Sequence, residues 1–319
     1  MTETRPVLVA TEADDVTADM VITQLNRLNV PVIRFNPADI EAGGLTVSAR
    51  YGTRPALEVG RVSTPSRTAD LHEVGAVYWR RPVWPNFTHL APGDARYAAA
   101  QTRYGLGGIL HSLDGALWAN HPLRNAEADH KPHQLAMAQR LGLRIPSTLI
   151  TNDPHEAREF IGAHRSVIHK PLRWTPYERD GVPVTSWTKP VTAGEIDTGL
   201  RVAPHLFQEQ VDKVADLRVL IVGDAVFTVR ITSPLLDWRL DYSLLTHTVT
   251  SLPRALEAML RAFLDAFGLV CGSFDLAVGR DGTYWWLELN PNGQWGWLQE
   301  ATGLPMADAF ADLLTKGAP

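Results

Sequence analysis

The chain has 319 residues, enough for two or three domains with a sizeable core. Its 30 basic and 35 acidic residues give a net charge of −5, which argues against a broad basic surface for nucleic acid or an anionic membrane. A single cysteine excludes an intramolecular disulfide framework and favours a reducing, cytoplasmic location. The N-terminal stretch lacks the basic region and long apolar run of a secretory signal, so we expect no membrane partner.

The first part of the chain predicts a β-α-β unit. Short apolar runs at residues 7–11 and 31–35 are typical of strands, and apolar residues at helical spacing over residues 14–28 predict the helix between them. Strands in this order usually pair in parallel, so we expect a Rossmann-like sheet. Alternating residues at 45–51 and 55–62 predict a small hairpin beside it.

A further strand, predicted at residues 76–79, ends in two arginines, Arg80 and Arg81. Charged residues at the carboxyl end of a parallel strand are well placed to meet a ligand. These two and Arg239, which also follows a tryptophan, could bind an acidic peptide or form structural ion pairs, and the sequence leaves both possibilities open. We place the first domain boundary after residue 124.

Two lysines lie at the ends of regular elements in the middle of the chain. Lys131 is in the first turn of a predicted helix for which Asp129 is the candidate N-cap. Lys170 ends a strand predicted at residues 165–171. Residues 173–199 are rich in Pro, Thr and Gly, which favours a flexible hairpin or lid.

Residues 205–211 predict a strand, and the next segment predicts a hairpin that turns at Gly223-Asp224. A two-residue turn there directs Arg218 and Arg230 to opposite faces of the sheet. Either a bulge re-aims one strand, or only one of these arginines reaches a ligand on a given face.

The last long helix, predicted at residues 252–267, leads into a hairpin that turns at Asp281-Gly282. A two-residue turn places Asp275 directly opposite Glu288, and Asn290 follows on the same face. The apolar residues of both strands then form the other face, which we expect to cover a core. They are Phe274, Leu276, Val278, Trp285, Leu287 and Leu289.

Two carboxylates opposite each other in a sheet are destabilising unless a positive charge lies between them. Carboxylate and amide oxygens suit Mg²⁺, which keeps several waters and takes phosphate oxygens as further ligands. Asp275, Glu288 and Asn290 therefore form a candidate magnesium site. The alternative is a solvated edge hairpin whose acidic residues have no common role.

The order of these features resembles the ATP-grasp superfamily. In chain order they are Lys131, Lys170, residues 208–211, Asp216, Arg218, Arg230, Asp275, Glu288 and Asn290. Residues 78–82, 207–209, 216–218 and 288–295 resemble, more narrowly, the graspetide-type maturases. These are macrocyclases that join side chains of a ribosomally made precursor peptide, and they are related to ribosomal-protein glutamate ligases.

The resemblance implies an α/β (α+β) protein with an ATP-grasp fold. An N-terminal Rossmann-like pre-ATP-grasp domain would span residues 1–124. A central subdomain with the lid or peptide-binding hairpin would span 125–205. A C-terminal antiparallel-sheet subdomain with the metal site would span 206–319.

The resemblance also implies roles for single residues. Lys131 and Lys170 would hold the α- and β-phosphates of ATP as point charges. The adenine and ribose would lie beside Gln208, Glu209, Val211, Asp212 and Lys213. Arg230 would stabilise the transferred γ-phosphoryl group, and Arg218 would orient the substrate carboxylate. Asp216 would be either a general base or a carboxylate that fixes Arg218.

The implied activity is an ATP-dependent ligation on a precursor peptide with a leader and an acidic, Thr-rich core. An Asp or Glu side chain is activated as an acyl phosphate and joined to a Thr or Ser hydroxyl or a Lys amine. One alternative is a carboxylate-amine ligase for free amino acids or a protein tail, and another is a non-catalytic ATP-binding peptide carrier. The resemblance further implies a homodimer.

Overall fold

A computed structural model describes the protein over residues 4–52, 59–113, 115–173, 175, 177–184 and 187–317. The beginning of the strand predicted at residues 55–62 lies outside this part of the chain, as do residues 174, 176, 185 and 186 of the predicted lid. Within the described ranges, no helix is both long enough and apolar enough to cross a membrane.

The N-terminal unit combines a parallel and an antiparallel sheet. Its elements are β1 (Val7–Thr11), α1 (Val16–Arg27), β2 (Val32–Phe35), β3 (Thr46–Arg50), β4 (Val59–Ser63), β5 (Thr68–Asp70), β6 (Ala76–Arg81), α2 (Pro92–His111) and β7 (Leu117–Ala119). The parallel sheet has the order β2-β1-β6-β7, and the antiparallel sheet has the order β3-β4-β5. β1 is buried along its whole length, as expected for a central strand with both faces covered. The predicted β-α-β opening is confirmed.

The central unit is built on a four-stranded antiparallel sheet. Its elements are α3 (Pro122–Ala128), α4 (Lys131–Arg140), β8 (Thr148–Thr151), α5 (Pro154–Ala163), β9 (Val167–Lys170), β10 (Tyr177–Arg179), β11 (Val182–Val184), β12 (Lys189–Val191) and β13 (His205–Glu209). The sheet has the order β12-β9-β13-β8, and β10 and β11 form a separate hairpin within the predicted lid. Because β13 continues to Glu209, this sheet extends beyond residue 205. The N-cap of α4 is His130, since Asp129 ends α3.

The C-terminal unit is a five-stranded antiparallel sheet, and both of its faces are covered. Its elements are β14 (Lys213–Val222), β15 (Ala225–Thr232), β16 (Thr246–Thr250), α6 (Arg254–Phe267), β17 (Cys271–Gly279), β18 (Tyr284–Asn290), α7 (Gly296–Thr302) and α8 (Met306–Lys316). The strand order is β16-β15-β14-β17-β18. One face packs on α6. The other face packs on α7, α8 and the N-terminal sheet, so the units share a core.

The hairpin of β17 and β18 keeps Asp275 opposite Glu288, as predicted, but its turn has a different length. Val278 pairs with Tyr284, one residue away from the predicted register, because Gly282 adopts a positive φ of 79° and Gly279 closes a three-residue loop. A bulge farther along the hairpin restores the register before Glu288 is reached.

The bulge changes which aromatic residue enters the core. Trp286 is only 1% exposed and packs on Phe263 of α6, whereas Trp285 lies partly exposed on the opposite face. Leu287 also leaves the core face and lines the groove described below. The prediction that Trp285 and Leu287 cover the core was therefore wrong, because one extra residue reverses the alternation of faces.

We expect Trp286→Ala to lower the free energy of unfolding by about 3–5 kcal/mol, since it empties a packed core position. Trp285→Ala is the matched control. It removes the same side chain from the other face, where the ring centre lies 5.5 Å from the Arg144 guanidinium carbon. We expect it to cost less than about 1.5 kcal/mol. Urea denaturation of both variants measures the difference, and equal losses would contradict this register.

Candidate active site

A groove opens between the central sheet and the C-terminal sheet. Side chains of five strands line it, namely Ile168, Lys170, Gln208, Glu209, Lys213, Asp216, Asp275, Ala277, Leu287 and Glu288. Lys131 at the start of α4 and Asn290 at the end of β18 line an adjoining part of the same opening, which shares Lys170 and Glu288. The fold therefore brings together predicted site residues that are far apart in sequence.

Glu288 is a buried acidic residue of the groove, with 9% of its surface exposed. Its Oε2 accepts a hydrogen bond from Lys131 Nζ at 2.5 Å, and its Oε1 lies 3.8 Å from Arg239 Nη1. Burial alone raises the pKa of a carboxyl group, but the charges of Lys131, Lys170 and Arg239 outweigh it and lower the pKa of Glu288. Glu288 is therefore ionised at neutral pH.

Asp275 lies beside Glu288 and is held by an arginine. Both of its carboxylate oxygens accept hydrogen bonds from Arg218 Nη1, at 2.7 and 2.6 Å, and Asn290 Nδ2 donates to Oδ2 at 3.2 Å. Arg218 is almost completely buried, so this ion pair is shielded from water. The carboxylate and the guanidinium consequently fix each other's orientation.

This arrangement fits a divalent cation bound through oxygen. Asp275, Glu288 and Asn290 converge, and the negative charge of the two carboxylates is balanced by lysine and arginine side chains. No cluster of three or more His, Cys, Asp and Glu side chains occurs in the described ranges. A cation held here would therefore take part of its ligands from water or phosphate, which is the coordination that Mg²⁺ prefers.

Lys170 projects from the end of β9 towards the same charges. Its Nζ donates to Gln208 Oε1 at 3.1 Å, and Gln208 Nε2 donates to Thr148 Oγ1 at 2.9 Å. Burial lowers the pKa of Lys170 to about 8, and Lys131 and Arg239 act in the same direction, whereas Glu288 opposes them. A lysine with this pKa is mostly charged at neutral pH and can lose its proton under mildly alkaline conditions.

The end of β13 provides a backbone edge at the groove. Glu209 and Val211 both line it. Within the described part of the chain, the Val211 amide is not used as a donor in the hydrogen bonds made by loops and turns. A free backbone donor next to an apolar wall suits a planar heterocycle, as predicted for adenine.

The residues after β13 differ in their accessibility to the groove. Lys213 Nζ donates to Asp216 Oδ2 at 2.6 Å and to the Leu236 carbonyl oxygen at 2.8 Å. Asp212 is exposed and pairs with Arg280 at 2.8 Å. Asp216 does not fix Arg218, since Asp275 does so. Burial raises the pKa of Asp216 in spite of the nearby Lys213 charge.

Arg230 does not lie on the groove side of the sheet. β14 and β15 pair without a bulge, so Arg218 is opposite Val229 and Arg230 is opposite Leu217. Leu217 belongs to the core beneath α6. Because directly paired residues share a face, Arg230 is directed away from the groove, and its predicted contact with the γ-phosphoryl group does not fit its position.

Arg239 supplies the second guanidinium instead, from the segment between β15 and β16. Its Nε and Nη2 donate to the two carboxylate oxygens of Asp237 at 2.8 and 2.9 Å. Burial opposes its charge, but Asp237 and Glu288 together raise the pKa of Arg239. The sequence indicated Arg239 only through its neighbour Trp238, and nothing in the pattern indicated Asp237.

No family model matches the sequence, and no curated protein matches it. Solved structures do match over nearly the whole chain. A RiPP-associated ATP-grasp ligase of Chryseobacterium gregarium, in complex with ADP and a leader and core peptide, is 27% identical, with a TM-score of 0.89 and coverage of 99% of this chain and 98% of that one.

Two macrocyclases of Microcystis aeruginosa MRC are also similar. MdnC, bound with the precursor peptide MdnA, is 26% identical, with a TM-score of 0.87 and coverage of 98% of this chain and 100% of its own. MdnB is 28% identical, with a TM-score of 0.82 and the same coverage. The predicted ATP-grasp fold and the predicted resemblance to ATP-grasp ligases of ribosomal peptides are therefore confirmed.

Proposed function

We propose that this protein is an ATP-dependent ligase that closes macrocycles in a ribosomally made precursor peptide. The observation that carries the proposal is the groove itself, where a buried carboxylate, Glu288, and a half-buried one, Asp275, lie among two lysines and two arginines. Such a cluster suits a metal-bound polyphosphate next to a substrate carboxylate. The similarity to ligases and macrocyclases bound with peptides supports a peptide as the substrate.

Residues of the groove would divide the binding of ATP and Mg²⁺ among them. Asp275, Glu288 and Asn290 would hold the metal, which neutralises charge on the phosphates when bound. Lys131 and Lys170 would contact phosphate oxygens, with Gln208 fixing the Lys170 ammonium group. Glu209 and Val211 would meet the adenine, and the ribose would lie towards Asp212 and Lys213.

The proposed reaction has two steps. First, an oxygen of a peptide Asp or Glu side chain attacks the γ-phosphorus of ATP, the bond to the β-γ bridging oxygen breaks, and ADP leaves. Second, a Thr or Ser hydroxyl, or a Lys amine, attacks the acyl carbon of the resulting acyl phosphate. The bond from that carbon to the phosphate oxygen breaks, phosphate leaves, and the nucleophile's proton passes to a base. The product is an ester or an amide.

Three side chains would assist these steps. Arg239 lies beside Glu288 and would balance charge on the transferred phosphoryl group, the role first expected of Arg230. Arg218 would orient the substrate carboxylate. Asp216 is the candidate general base for a hydroxyl nucleophile, since its raised pKa brings it closer to the operating pH.

The predicted lid would exclude water and grip the peptide. The Thr188 amide within it donates to Asp237 Oδ2 at 3.3 Å, which links the lid to the segment that carries Arg239. Tyr177 and Val182 expose apolar side chains on the hairpin of β10 and β11. Exposed apolar residues beside a site are suited to hold a leader peptide.

We further propose that the protein acts in the cytoplasm as a homodimer. Its single cysteine, Cys271, is buried and free, which suits a reducing compartment. The homodimer rests on the family resemblance. Light scattering of the purified protein would measure its mass in solution directly.

The test of the function is incubation of the protein with ATP, Mg²⁺ and an acidic, Thr-rich candidate precursor. We expect the peptide to lose the mass of one water for each bond formed, with one ADP released per bond. Omission of ATP is the control. Consumption of free glutamate without modification of the peptide would favour a carboxylate-amine ligase. Binding of ATP without hydrolysis in the presence of any carboxylate would favour a peptide carrier.

A further inference from the structure

Gln294 lies where the N-terminal unit meets the active site. Its side-chain oxygen, Oε1, accepts hydrogen bonds from Arg80 Nη2 at 2.5 Å and from Thr17 Oγ1 at 3.0 Å. Thr17 belongs to α1, and Arg80 lies near the end of β6. One amide oxygen is thus held by two separate elements of the N-terminal unit.

Arg80 is buried, with 2% of its surface exposed, so it is not free to bind an acidic peptide on the surface. Its Nη1 donates to the Asn292 carbonyl oxygen at 2.6 Å, and its Nε lies 3.7 Å from Asp15 Oδ2. Asp15 is held in turn by Thr11 Oγ1 at 2.7 Å. The arginine therefore binds the loop after β18 at two points and is backed by a buried carboxylate.

The main chain of the same loop reaches the catalytic groove. The Gln294 carbonyl oxygen accepts a hydrogen bond from Arg218 Nη2 at 3.3 Å, and Arg218 binds Asp275. The loop also fits tightly at Gly293, where an added Cβ would lie 2.6 Å from Ser273 Cβ and 2.9 Å from Arg218 Nη2. A small shift of this loop would therefore displace Arg218.

Two other buried amide side chains hold the neighbouring backbone. Gln134 bonds both the amide and the carbonyl of Leu289, and Asn120 donates to the Pro291 carbonyl oxygen. The residues on either side of Asn290 are thus already fixed by the central unit and by the end of β7. Arg80 and Gln294 fix the rest of this loop, residues 292–294, where it contacts Arg218.

We propose that Arg80 and Gln294 are positioning residues for the Arg218–Asp275 pair, so that the N-terminal unit sets the geometry of the metal site. The inference rests on the proposed function, because that function assigns Asp275 to the binding of Mg²⁺ and Arg218, which holds Asp275, to the substrate carboxylate. Neither residue contacts the groove itself. Their effect is transmitted through the backbone of residues 292–294, and partners of this kind usually tune metal affinity by about 10–100-fold.

The test measures how the binding of a fluorescent ATP analogue depends on the Mg²⁺ concentration. Gln294→Met keeps the length of the side chain but removes the acceptor, and we expect it to raise the half-saturating Mg²⁺ concentration about ten-fold. Gln294→Glu keeps the acceptor and should stay within about three-fold of the wild type. Arg96→Met, at an exposed arginine of α2, is the control and should change nothing.

Thermal unfolding of each variant separates positioning from loss of the fold. If Gln294→Met does not fold, Thr17→Val removes a single hydrogen bond to Gln294 and should raise the Mg²⁺ requirement by a smaller factor. An unchanged Mg²⁺ requirement in the folded variants would overturn the inference and leave the proposed function standing. Absence of Mg²⁺-dependent binding by the wild-type protein would instead overturn the proposed function.

Discussion

Glu288→Gln is expected to reduce peptide ligation by about a thousand-fold or more, or roughly 4 kcal/mol of transition-state stabilisation. The substitution keeps the shape of the side chain and removes its charge. Lys131 and Arg239 then face a neutral amide, and the proposed metal site loses one of its two carboxylates. Binding of the leader should change little, because no part of the proposed leader contact involves this residue. Ligation rate and peptide affinity, measured separately, give the two quantities.

Glu300→Gln is the matched control for this substitution. Glu300 is an exposed residue of α7 with the same chemistry, and its neutralisation should leave both quantities unchanged. Retention of ligation in Glu288→Gln would contradict the assignment of the metal site. A parallel loss of peptide affinity would indicate that Glu288 supports the fold of the groove rather than the chemistry.

The position of Glu288 illustrates what the sequence could predict. The alternation of β17 and β18 and the turn at Asp281-Gly282 placed it opposite Asp275, and this was confirmed. The predicted two-residue turn was wrong. The actual turn is one residue longer, and a bulge at Leu287 compensates for the extra residue, so that Asp275 still pairs with Glu288. Sequence patterns predict a turn from glycine and aspartate, but they do not count the residues of a bulge, which depends on packing of Trp286 against α6.

For the arginines, the strand register was predicted correctly, but the second guanidinium of the groove was not. The register of β14 and β15 follows from the two-residue turn at Gly223-Asp224, so the sequence correctly predicted that Arg218 and Arg230 lie on opposite faces. The second guanidinium of the groove, Arg239, comes from the segment between β15 and β16. That segment has no repeating pattern, so its path could not be predicted from the sequence. Arg239 reaches Glu288 only because Asp237 and Trp238 anchor that segment.

The domain contacts were the least predictable part. Arg80 could have been a ligand or a structural residue from sequence alone, and its partners Asn292 and Gln294 are more than two hundred positions away, as the separations of 212 and 214 show. Contacts over such distances are determined by how the units pack. No local pattern in either segment specifies them.

The use of ATP by the enzyme, measured as kcat/KM, is expected to depend on the protonation of Lys170. Lysine is charged below its pKa and neutral above it, and burial lowers the pKa of Lys170 to about 8. The value of kcat/KM for ATP, which reports groups of the free enzyme, should therefore fall about ten-fold per pH unit above pH 8. The value of kcat should fall less, because bound phosphates raise the pKa of the lysine and keep it charged.

Substitution at the same position separates the charge from the contact. Lys170→Gln should weaken ATP binding about a hundred-fold, or roughly 3 kcal/mol, at neutral pH. Lys170→Arg should bind ATP across the alkaline range without the fall above pH 8, since a guanidinium keeps its charge there. Lys189→Gln, on the exposed strand β12, is the control and should retain the wild-type profile. If the alkaline fall persists in Lys170→Arg, another group titrates, and Lys170 does not hold the phosphates through its charge.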